Sequence, residues 1–261
     1  MFRSLHIAAT GMAAQEAELD SISNNLANAN TIGYKKSRAD FQDLVYQTIR
    51  GAGTQNSTTT AAPTGLQVGS GVRIVATTRM FQQGALQTTG NPLDVAVEGN
   101  GFFVVQQPDG TPAYTRAGNL KTDAQGRIVT AEGMQLEPPI VIPADATSIS
   151  IGSDGVVSAT LKTSTTASQL GQIQLANFVN PAGLSAGGHN LMLASGASGE
   201  PQVGAPGSDG RGTLLQTTLE HANVEVVEEM IGLIAAQRAY DVNTKIVTAA
   251  DEMLRSATQM K

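Results

Sequence analysis

The sequence contains no cysteine and no tryptophan, and only 4% of its residues are aromatic. Without cysteine, disulfide bonds and thiolate metal sites are excluded. The shortage of aromatic side chains argues against a base-stacking surface for single-stranded nucleic acid. A packed interior is still possible, because hydrophobic residues make up 41% of the chain, which is ordinary for a globular protein.

The chain also has no strongly basic segment. Its formal net charge is −6, and the longest basic cluster consists of Lys35, Lys36 and Arg38. This cluster is too small for the electrostatic footprint of DNA or RNA binding, so we expect no nucleic-acid partner. No run of about eighteen apolar residues is present, so we expect no transmembrane helix. The N-terminal segment lacks an apolar signal core, and we expect no cleaved secretory signal.

Motifs that indicate an enzyme are missing as well. His6, His189 and His221 are far apart and do not form a metal-ligand spacing such as HExxH. There is no GxSxG nucleophile motif. Gly99 and Gly101 precede a strand-like segment instead of opening a helix, so the geometry that binds phosphate is absent. We therefore predict that the protein is not an enzyme and has no catalytic residue, no metal site and no cofactor.

The two ends of the chain have helical patterns. From about Ser4 to Asn30, apolar residues recur as a heptad stripe that is typical of a coiled-coil seam. A second stripe runs from about Val224 to Thr258, with Asn223 as the predicted N-cap. We predict that the large residues of both stripes form an assembly interface. These residues are Leu5, Met12, Leu19, Ile22 and Leu26 in the first stripe and Val226, Leu233, Tyr240, Val247 and Leu254 in the second.

Small residues lie beside the second stripe. Ala222, Ala236, Ala250 and Ala257 each follow a stripe residue by three positions, which would let a neighbouring helix approach closely. A helical pair with so few large apolar side chains is marginally stable by itself. We therefore expect the two ends to gain order by packing against neighbouring copies.

The middle of the chain has the pattern of a β protein. Residues 51–71 are rich in Thr, Gly and Ala and predict a long loop or an extended arm. From residue 72 to about 219, short apolar runs alternate with turn signals such as Asp-Gly. Residues 180–213 are rich in Gly, Pro and Ser and predict mostly loop. The predicted strands are 72–77, 93–97, 102–106, 112–115, 126–130, 140–142, 148–151, 156–159, 172–178 and 191–193.

These patterns together predict an α+β fold. Long N- and C-terminal helices, residues 1–30 and 222–261, are expected to form a discontinuous coiled-coil domain. A connecting region with the extended arm would occupy residues 31–71, and a central, mainly antiparallel all-β domain would occupy residues 72–221. The terminal helices can pair within one chain only if both termini return to the same end of the molecule.

Four motifs, in order along the chain, resemble those of the bacterial flagellar rod and hook proteins. They are Ser23-Asn24-Asn25-Leu26-Ala27-Asn28 with Thr31-Ile32-Gly33-Tyr34-Lys35; the segment from Leu93 to Phe103; Tyr114-Thr115-Arg116-Ala117-Gly118 with the following Asp123 and Gly126; and Asn223-Val224-Glu225 with Gln237-Arg238-Ala239-Tyr240. Because the motifs cover the chain from end to end, the chain is identified as a member of this axial family.

The resemblance implies a structural subunit that assembles head-to-tail into a helical homo-oligomer. It implies other rod proteins, the hook protein and the envelope ring proteins as partners, and secretion through the type III export apparatus. It also implies a place in the flagellar basal body, where the rod crosses the periplasm. The lack of a signal core is compatible with this export route.

Within the family, the length and the single β domain fit the distal-rod members, because the hook protein is usually longer. The segment that begins with Tyr46, Gln47, Thr48, Ile49 and Arg50 and ends at Pro63 resembles an insertion typical of these members. In them the insertion is associated with a straight and rigid rod. Its Thr-rich part after Arg50 departs from that pattern in detail.

Other interpretations remain open from the sequence. Another axial protein, of the proximal rod or the hook, would have the same core motifs. A secreted β-rich binding protein is the alternative from a different class, and it predicts a folded monomer with a ligand-binding β domain. An envelope glycosidase would need two carboxylates brought together in space, which a sequence pattern does not reveal.

Overall fold

A computed structural model describes residues 2–53, 55–57, 60–61, 63–162 and 166–259. Four positions of the predicted arm (54, 58, 59 and 62) and the chain ends (1, 260 and 261) lie outside the described residues. The chain divides into two compact units. The helical unit contains residues up to Leu26, Ser37–Thr78 and residues from Glu225 onward, and the β unit contains Ala27–Lys36 and Arg79–Val224.

The described residues of the helical unit form two long helices and six strands. The helices are α1 (Phe2–Ala27) and α2 (Val226–Gln259), and the strands are β1 (Ser37–Asp43), β2 (Gln47–Arg50), β3 (Gln55–Ser57), β4 (Thr60–Ala61), β5 (Leu66–Val68) and β6 (Val72–Arg79). Both helices follow the heptad patterns of the sequence. No helix in the described part of the chain is long and apolar enough to cross a membrane.

The helix ends differ from the prediction by a few residues. Helix α1 ends at Ala27, because a turn follows in which the amide of Thr31 donates to the carbonyl of Asn28 at 3.0 Å. Helix α2 begins at Val226, and the prediction of Asn223 as its N-cap is wrong. The Asn223 side chain instead accepts a hydrogen bond from the amide of Lys36 at 2.7 Å and donates to the carbonyl of Met80 at 2.7 Å.

The described residues of the arm form antiparallel strand pairs, where the sequence predicted a long loop or an extended arm. Strands β2 and β5 pair antiparallel, with Gln47 opposite Val68 and Thr48 opposite Gln67. Farther from the base, β3 pairs with β4. Thr favours strands, but without an alternating apolar pattern the hairpin has no signal in the sequence.

The β unit contains sixteen strands and one short 3₁₀ helix in its described residues. The strands are β7 (Leu86–Thr88), β8 (Val95–Glu98), β9 (Phe102–Gln106), β10 (Pro112–Thr115), β11 (Lys121–Thr122), β12 (Ile128–Val129), β13 (Gln135–Leu136), β14 (Ala146–Ile151), β15 (Val156–Leu161), β16 (Ala167–Gln172), β17 (Leu175–Asn177), β18 (Ser185–Gly188), β19 (Leu191–Leu193), β20 (Gln202–Gly204), β21 (Thr213–Gln216) and β22 (Thr218–Glu220). The 3₁₀ helix is Pro181–Gly183.

Strand β9 is the centre of the main sheet. That sheet runs in the order β11-β12-β13-β9-β10-β19-β18, and β17 joins β9 to β20. The pairings are antiparallel. Phe103 and Val105 of β9 pack into one apolar cluster, and Phe102 and Val104 into another. A strand that is buried on both faces is apolar at successive positions, which explains the run from residue 102 to 105.

Smaller sheets complete the β unit. Strands β14, β15 and β16 form a three-stranded sheet, β8 pairs with β21, and β7 pairs with β22. The α+β prediction, with terminal helices and a mainly antiparallel β region, is therefore confirmed.

Some strand predictions differ from the structure. Residues 180–213 are mostly loop, as predicted, and the predicted strand 191–193 is β19, but the region also contains β18 and β20. Glycine-rich strands can pair through their backbones without an apolar side-chain pattern, so composition did not reveal these two strands. In the predicted strand 140–142, Val141 makes only an isolated bridge to Arg127.

Candidate functional site

The two helices of the helical unit pack antiparallel against each other. Near one end, the Asn25 side chain donates to the Glu229 carboxylate at 3.3 Å. Toward the other end, the Thr244 hydroxyl lies 3.8 Å from the sulfur of Met12. Because residue numbers rise along α1 as their partners fall along α2, the helices form a hairpin-like pair. The start of α1 and the end of α2 therefore lie at the same end of this pair.

Small residues let the helices approach closely. A Cβ atom on Gly232 would lie 3.3 Å from Cδ1 of Ile22, and a Cβ atom on Gly11 would lie 3.1 Å from Nδ2 of Asn243. Ala236 and Ala250 are buried on the same heptad positions as Asn243. The burial of these two alanines is therefore consistent with the predicted close approach of a neighbouring helix.

The predicted interface residues differ in how exposed they are in the single chain. Ile22 is buried, whereas Val226 and Tyr240 are 44% and 40% exposed. The remaining members are half-buried: Leu5, Met12, Leu19, Leu26, Leu233, Val247 and Leu254. Their role in assembly stays a prediction.

Two carboxylates meet across the helix pair. Glu18 lies on α1, and Glu229 lies on α2 and is buried. Burial, and then repulsion by Glu229, raise the pKa of Glu18, while Arg38 of β1 opposes the shift. Among the described residues, the Oε2 atom of Glu18 is buried without a hydrogen-bond partner. When both carboxylates are ionised, their repulsion therefore opposes the packing of the two helices.

Helix α2 also exposes a set of large apolar side chains, which we call the α2 stripe. Its most exposed members are Val227, at 69%, and Ile231, at 63%. At 3.6 residues per turn, these two and Ile234 lie roughly opposite the buried Glu229 and Ala236. Ile246 and Met253 are exposed beside the buried Ala250. A set of large apolar side chains this exposed is typical of an interaction surface. The α2 stripe consists of Val227, Ile231, Ile234, Val242, Ile246 and Met253.

The arm likewise exposes apolar side chains. At its base, the Ser70 hydroxyl donates to the carbonyl of Val45 at 2.8 Å, and Gln47 accepts a hydrogen bond from Arg3. Tyr46 and Ile49 are 53% and 60% exposed. Thr48, Arg50 and Pro63 are exposed as well. A two-stranded hairpin is marginally stable in water, so packing against another surface would stabilise the arm.

The β unit contains a buried group of three charged residues, which we call the ionic clasp: Lys35, Arg116 and Glu220. Lys35 Nζ lies 2.6 Å from Glu220 Oε1, and Arg116 Nε lies 3.2 Å from Glu220 Oε2. The three side chains are at most 5% exposed. Burial lowers the pKa of Lys35 and of Arg116, and the Glu220 carboxylate opposes both shifts.

Backbone groups complete the clasp. Lys35 Nζ donates to the carbonyl of Gln82 at 2.7 Å, and the amide of Gly84 donates to Glu220 Oε1 at 2.9 Å. Arg116 donates to the carbonyls of Gly101 and Gly99 at 2.8 and 2.7 Å. These carbonyl dipoles offset the surplus positive charge, since two cations face one carboxylate.

The clasp joins three of the four family-like motifs. Lys35 belongs to the first, Gly99 and Gly101 to the second, and Arg116 to the third. Glu220 comes shortly before the fourth. Gly33 has φ +69°, and a Cβ atom there would lie 2.6 Å from the carbonyl carbon of Arg116, so glycine is required where the first motif crosses the third.

No pattern in the sequence indicates that these charges meet. Lys35 belongs to a small basic cluster and to the first family-like motif, and Glu220 belongs to no motif. Lys35 and Glu220 are 185 residues apart, and no local periodicity relates positions at that distance. The one signal was that each cation lies inside a motif.

Three family models match parts of the chain. They are described as "Flagella basal body rod protein" for residues 5–35, "Flagellar hook protein FlgE/F/G D1 domain" for residues 96–159, and "Flagellar basal body rod FlgEFG protein C-terminal" for residues 215–260. The matches include both helices and the central strands, in the order that the motifs indicate.

Full-length relatives agree with these matches. The chain is 47% identical to the flagellar basal-body rod protein FlgG of Borreliella burgdorferi, over 100% of this chain and 99% of the relative. It is 40% identical to FlgG of Bacillus subtilis over the whole of both chains. The hook protein FlgE of Helicobacter mustelae is 41% identical, but over 51% of this chain and 30% of the relative.

The chain belongs to the flagellar rod and hook protein family. Within it, the full-length similarity is to FlgG rod proteins, which confirms the resemblance to the distal-rod members. The protein is thus a structural subunit of the flagellar basal body and not an enzyme.

Proposed function

We propose that the chain assembles head-to-tail into the distal rod, a rigid hollow helical shaft that transmits motor torque to the hook and filament and encloses the export channel. The α2 stripe is the observation on which this proposal depends. Its six apolar side chains are at least 43% exposed in the single chain. Covering them with a neighbouring copy would remove apolar area from water, which favours association. A repeated heterologous contact of this kind generates a helical polymer.

The terminal helices form the core of the proposed shaft as a discontinuous coiled-coil domain. We keep its predicted boundaries, 1–30 and 222–261, with a connecting region at 31–71 and a wall-forming β domain at 72–221. The predicted interface residues on α1 and α2 line the seams within and between copies. Knobs-into-holes packing along heptad stripes is how long helices associate stably.

The arm restrains neighbouring copies in this proposal. Its exposed Tyr46 and Ile49 would pack against an adjacent copy and limit sliding between subunits. Further contacts would be made with other rod proteins, the hook protein and the envelope ring proteins. Export would take place through the type III apparatus.

The test is polymerisation of the purified chain with the α2 stripe made polar. We expect the double variant Ile231→Ser/Ile234→Ser to stay monomeric at concentrations where the wild-type chain forms rods in electron micrographs. The helix pair should persist in circular dichroism, because neither side chain is among those buried between the helices.

Val203→Ser is the matched control, since Val203 is 46% exposed but lies in the β unit. This variant should polymerise normally. Rods of normal length from the Ile231→Ser/Ile234→Ser variant would overturn the proposal.

A further inference from the structure

Within the β unit, Lys35 and Glu220 of the clasp lie close in sequence to points where the chain leaves that unit. The chain crosses between the units after Leu26, Lys36, Thr78 and Val224. On the β-unit side, three segments adjoin these crossing points: residues 31–36, 79–84 and 218–223, which we call the clasp segments. Each of them supplies a charged side chain or a backbone group to the clasp.

Backbone hydrogen bonds join the clasp segments to one another. The amide of Gly33 donates to the carbonyl of Glu220 at 2.8 Å, and the amide of Met80 donates to the carbonyl of Lys36 at 2.9 Å. Asn223 bridges the first and second segments through its side chain, with Lys36 and Met80 as partners. No segment can therefore leave without breaking bonds to the other two.

The arrangement of the three clasp segments depends on the negative charge of Glu220. Among the described residues, Glu220 is the carboxylate that pairs with both Lys35 and Arg116. Without it, two buried cations would have only carbonyl dipoles as partners, and burying an unpaired charge is strongly unfavourable. The larger apolar cluster around β9 contains Phe103 and Val105 together with side chains of other strands, so the sheet has an apolar core of its own. Of the clasp residues, Arg116 also lies 5.9 Å from the ring centroid of Phe102 in the smaller cluster.

We propose that the ionic clasp is a conformational lock: Glu220 holds the three clasp segments as one cooperative unit, which opens separately from the sheet core. When the lock is closed, the segments that lead to the helical unit are fixed on the β unit. When it opens, all three become mobile together while β9 and β10 remain folded.

Hydrogen exchange of the full-length wild-type chain in low urea tests this lock. We expect the protected amides of the clasp segments to share one free energy of opening, lower than that of β9 and β10. Exchange of these segments together with the sheet core, or with three different opening free energies, would overturn the proposal.

The variant Glu220→Gln provides a second measurement, because it keeps the shape and removes the charge. We expect the clasp segments to exchange faster by a factor on the order of a hundred to several thousand, or to lose protection entirely. Protection of β9 and β10 should persist. Unchanged exchange in the clasp segments would contradict the lock, as would a simultaneous loss of protection in every strand.

Asp123→Asn is the matched control. Asp123 forms an ion pair with Arg127 at 2.7 Å in the same unit, but that pair is partly exposed. The change should leave the exchange of the clasp segments within about a factor of five of wild type, since exposed pairs contribute little. A large acceleration in this control would mean that general charge loss, and not the clasp, governs opening.

Discussion

The ammonium group of Lys35 lies 2.6 Å from the carboxylate of Glu220, although 185 residues separate them. Arg116 shares the same carboxylate, so the three charges form one coupled group. Removing the carboxylate leaves a net charge of about +2 in a buried site, and removing Lys35 as well returns it to about +1, the value in the intact clasp.

A double-mutant cycle measures this coupling. We expect Glu220→Gln to destabilise the closed clasp by about 3–5 kcal/mol, because two buried cations lose their counter-charge. Adding Lys35→Met should restore part of the loss, with a coupling energy of about 0.5–3 kcal/mol. Amide exchange in the clasp segments provides the free energies. Additive effects of the two changes would show that the residues act independently.

Gly118 has no room for a side chain. A Cβ atom there would lie 1.6 Å from the carbonyl oxygen of Val95, on a backbone that is fixed by β8. We expect Gly118→Ala to lower the free energy of unfolding of the β unit by about 1–3 kcal/mol or more, since overpacking forces the backbone to shift. Urea denaturation checks this value. Gly196→Ala is the control, because its Cβ would meet nothing within 4 Å and should change stability by less than about 0.5 kcal/mol.

A charge on the helix seam should prevent assembly. Leu233 of α2 is half-buried and belongs to the predicted interface. We expect Leu233→Asp to abolish rod completion and motility, since burying a carboxylate in an apolar seam is costly in every copy of the polymer. Swimming of cells that carry the variant as their only copy provides the measurement.

Gln237→Asp is the control for this change. Gln237 is exposed on the same helix, so the variant adds the same charge outside the seam. These cells should still swim. Normal swimming of the Leu233→Asp cells would show that Leu233 is not part of an assembly seam.

Deletion of the arm should change the mechanics of the rod. We expect a chain without residues 46–63 to form a curved or flexible axis, because contacts that limit sliding between copies are removed. Electron microscopy of purified basal bodies reveals the curvature. The single change Thr48→Ser, at an exposed arm position, should leave the axis straight. A straight and stiff axis from the deletion would contradict the proposed role.

The stability of the helix pair should depend on pH through Glu18. Its pKa in the folded chain is raised, mainly by burial, and then by Glu229, while Arg38 opposes the shift. The contribution of Glu18 to the stability of the helix pair is therefore complete below the ordinary glutamate pKa. It is lost as the pH rises through the raised pKa that Glu18 has in the folded chain. We expect Glu18→Gln to make the helix pair more stable near pH 7 and to weaken this pH dependence.

Urea unfolding followed by circular dichroism, between about pH 4 and pH 7, provides the comparison. Glu16→Gln is the control on the same helix, because Glu16 is exposed. It should leave the pH dependence of the wild-type chain unchanged. Equal pH dependence in wild type and Glu18→Gln would show that Glu18 and Glu229 do not affect the stability of the helix pair.

Local patterns and motifs in the sequence were sufficient to predict the two helices, the strands with apolar runs and the family. Heptad spacing is a local signal, and it placed α1 and α2 within a few residues of their ends. The run Phe102–Gln106 was predicted with its correct bounds, because a strand buried on both faces is continuously apolar. Local patterns failed for the arm and for β18, whose pairing comes from backbone groups and not from side-chain periodicity.

Contacts between residues far apart in the chain came from the tertiary structure alone. It paired Ile22 with Gly232 and distinguished the buried residues of α2 from the exposed α2 stripe, although the sequence has apolar residues in both sets. It also brought Lys35, Arg116 and Glu220 together in a buried site. The physical reason is that charge pairing and close approach depend on distances in space, whereas a sequence pattern reports only the local geometry of a helix or strand.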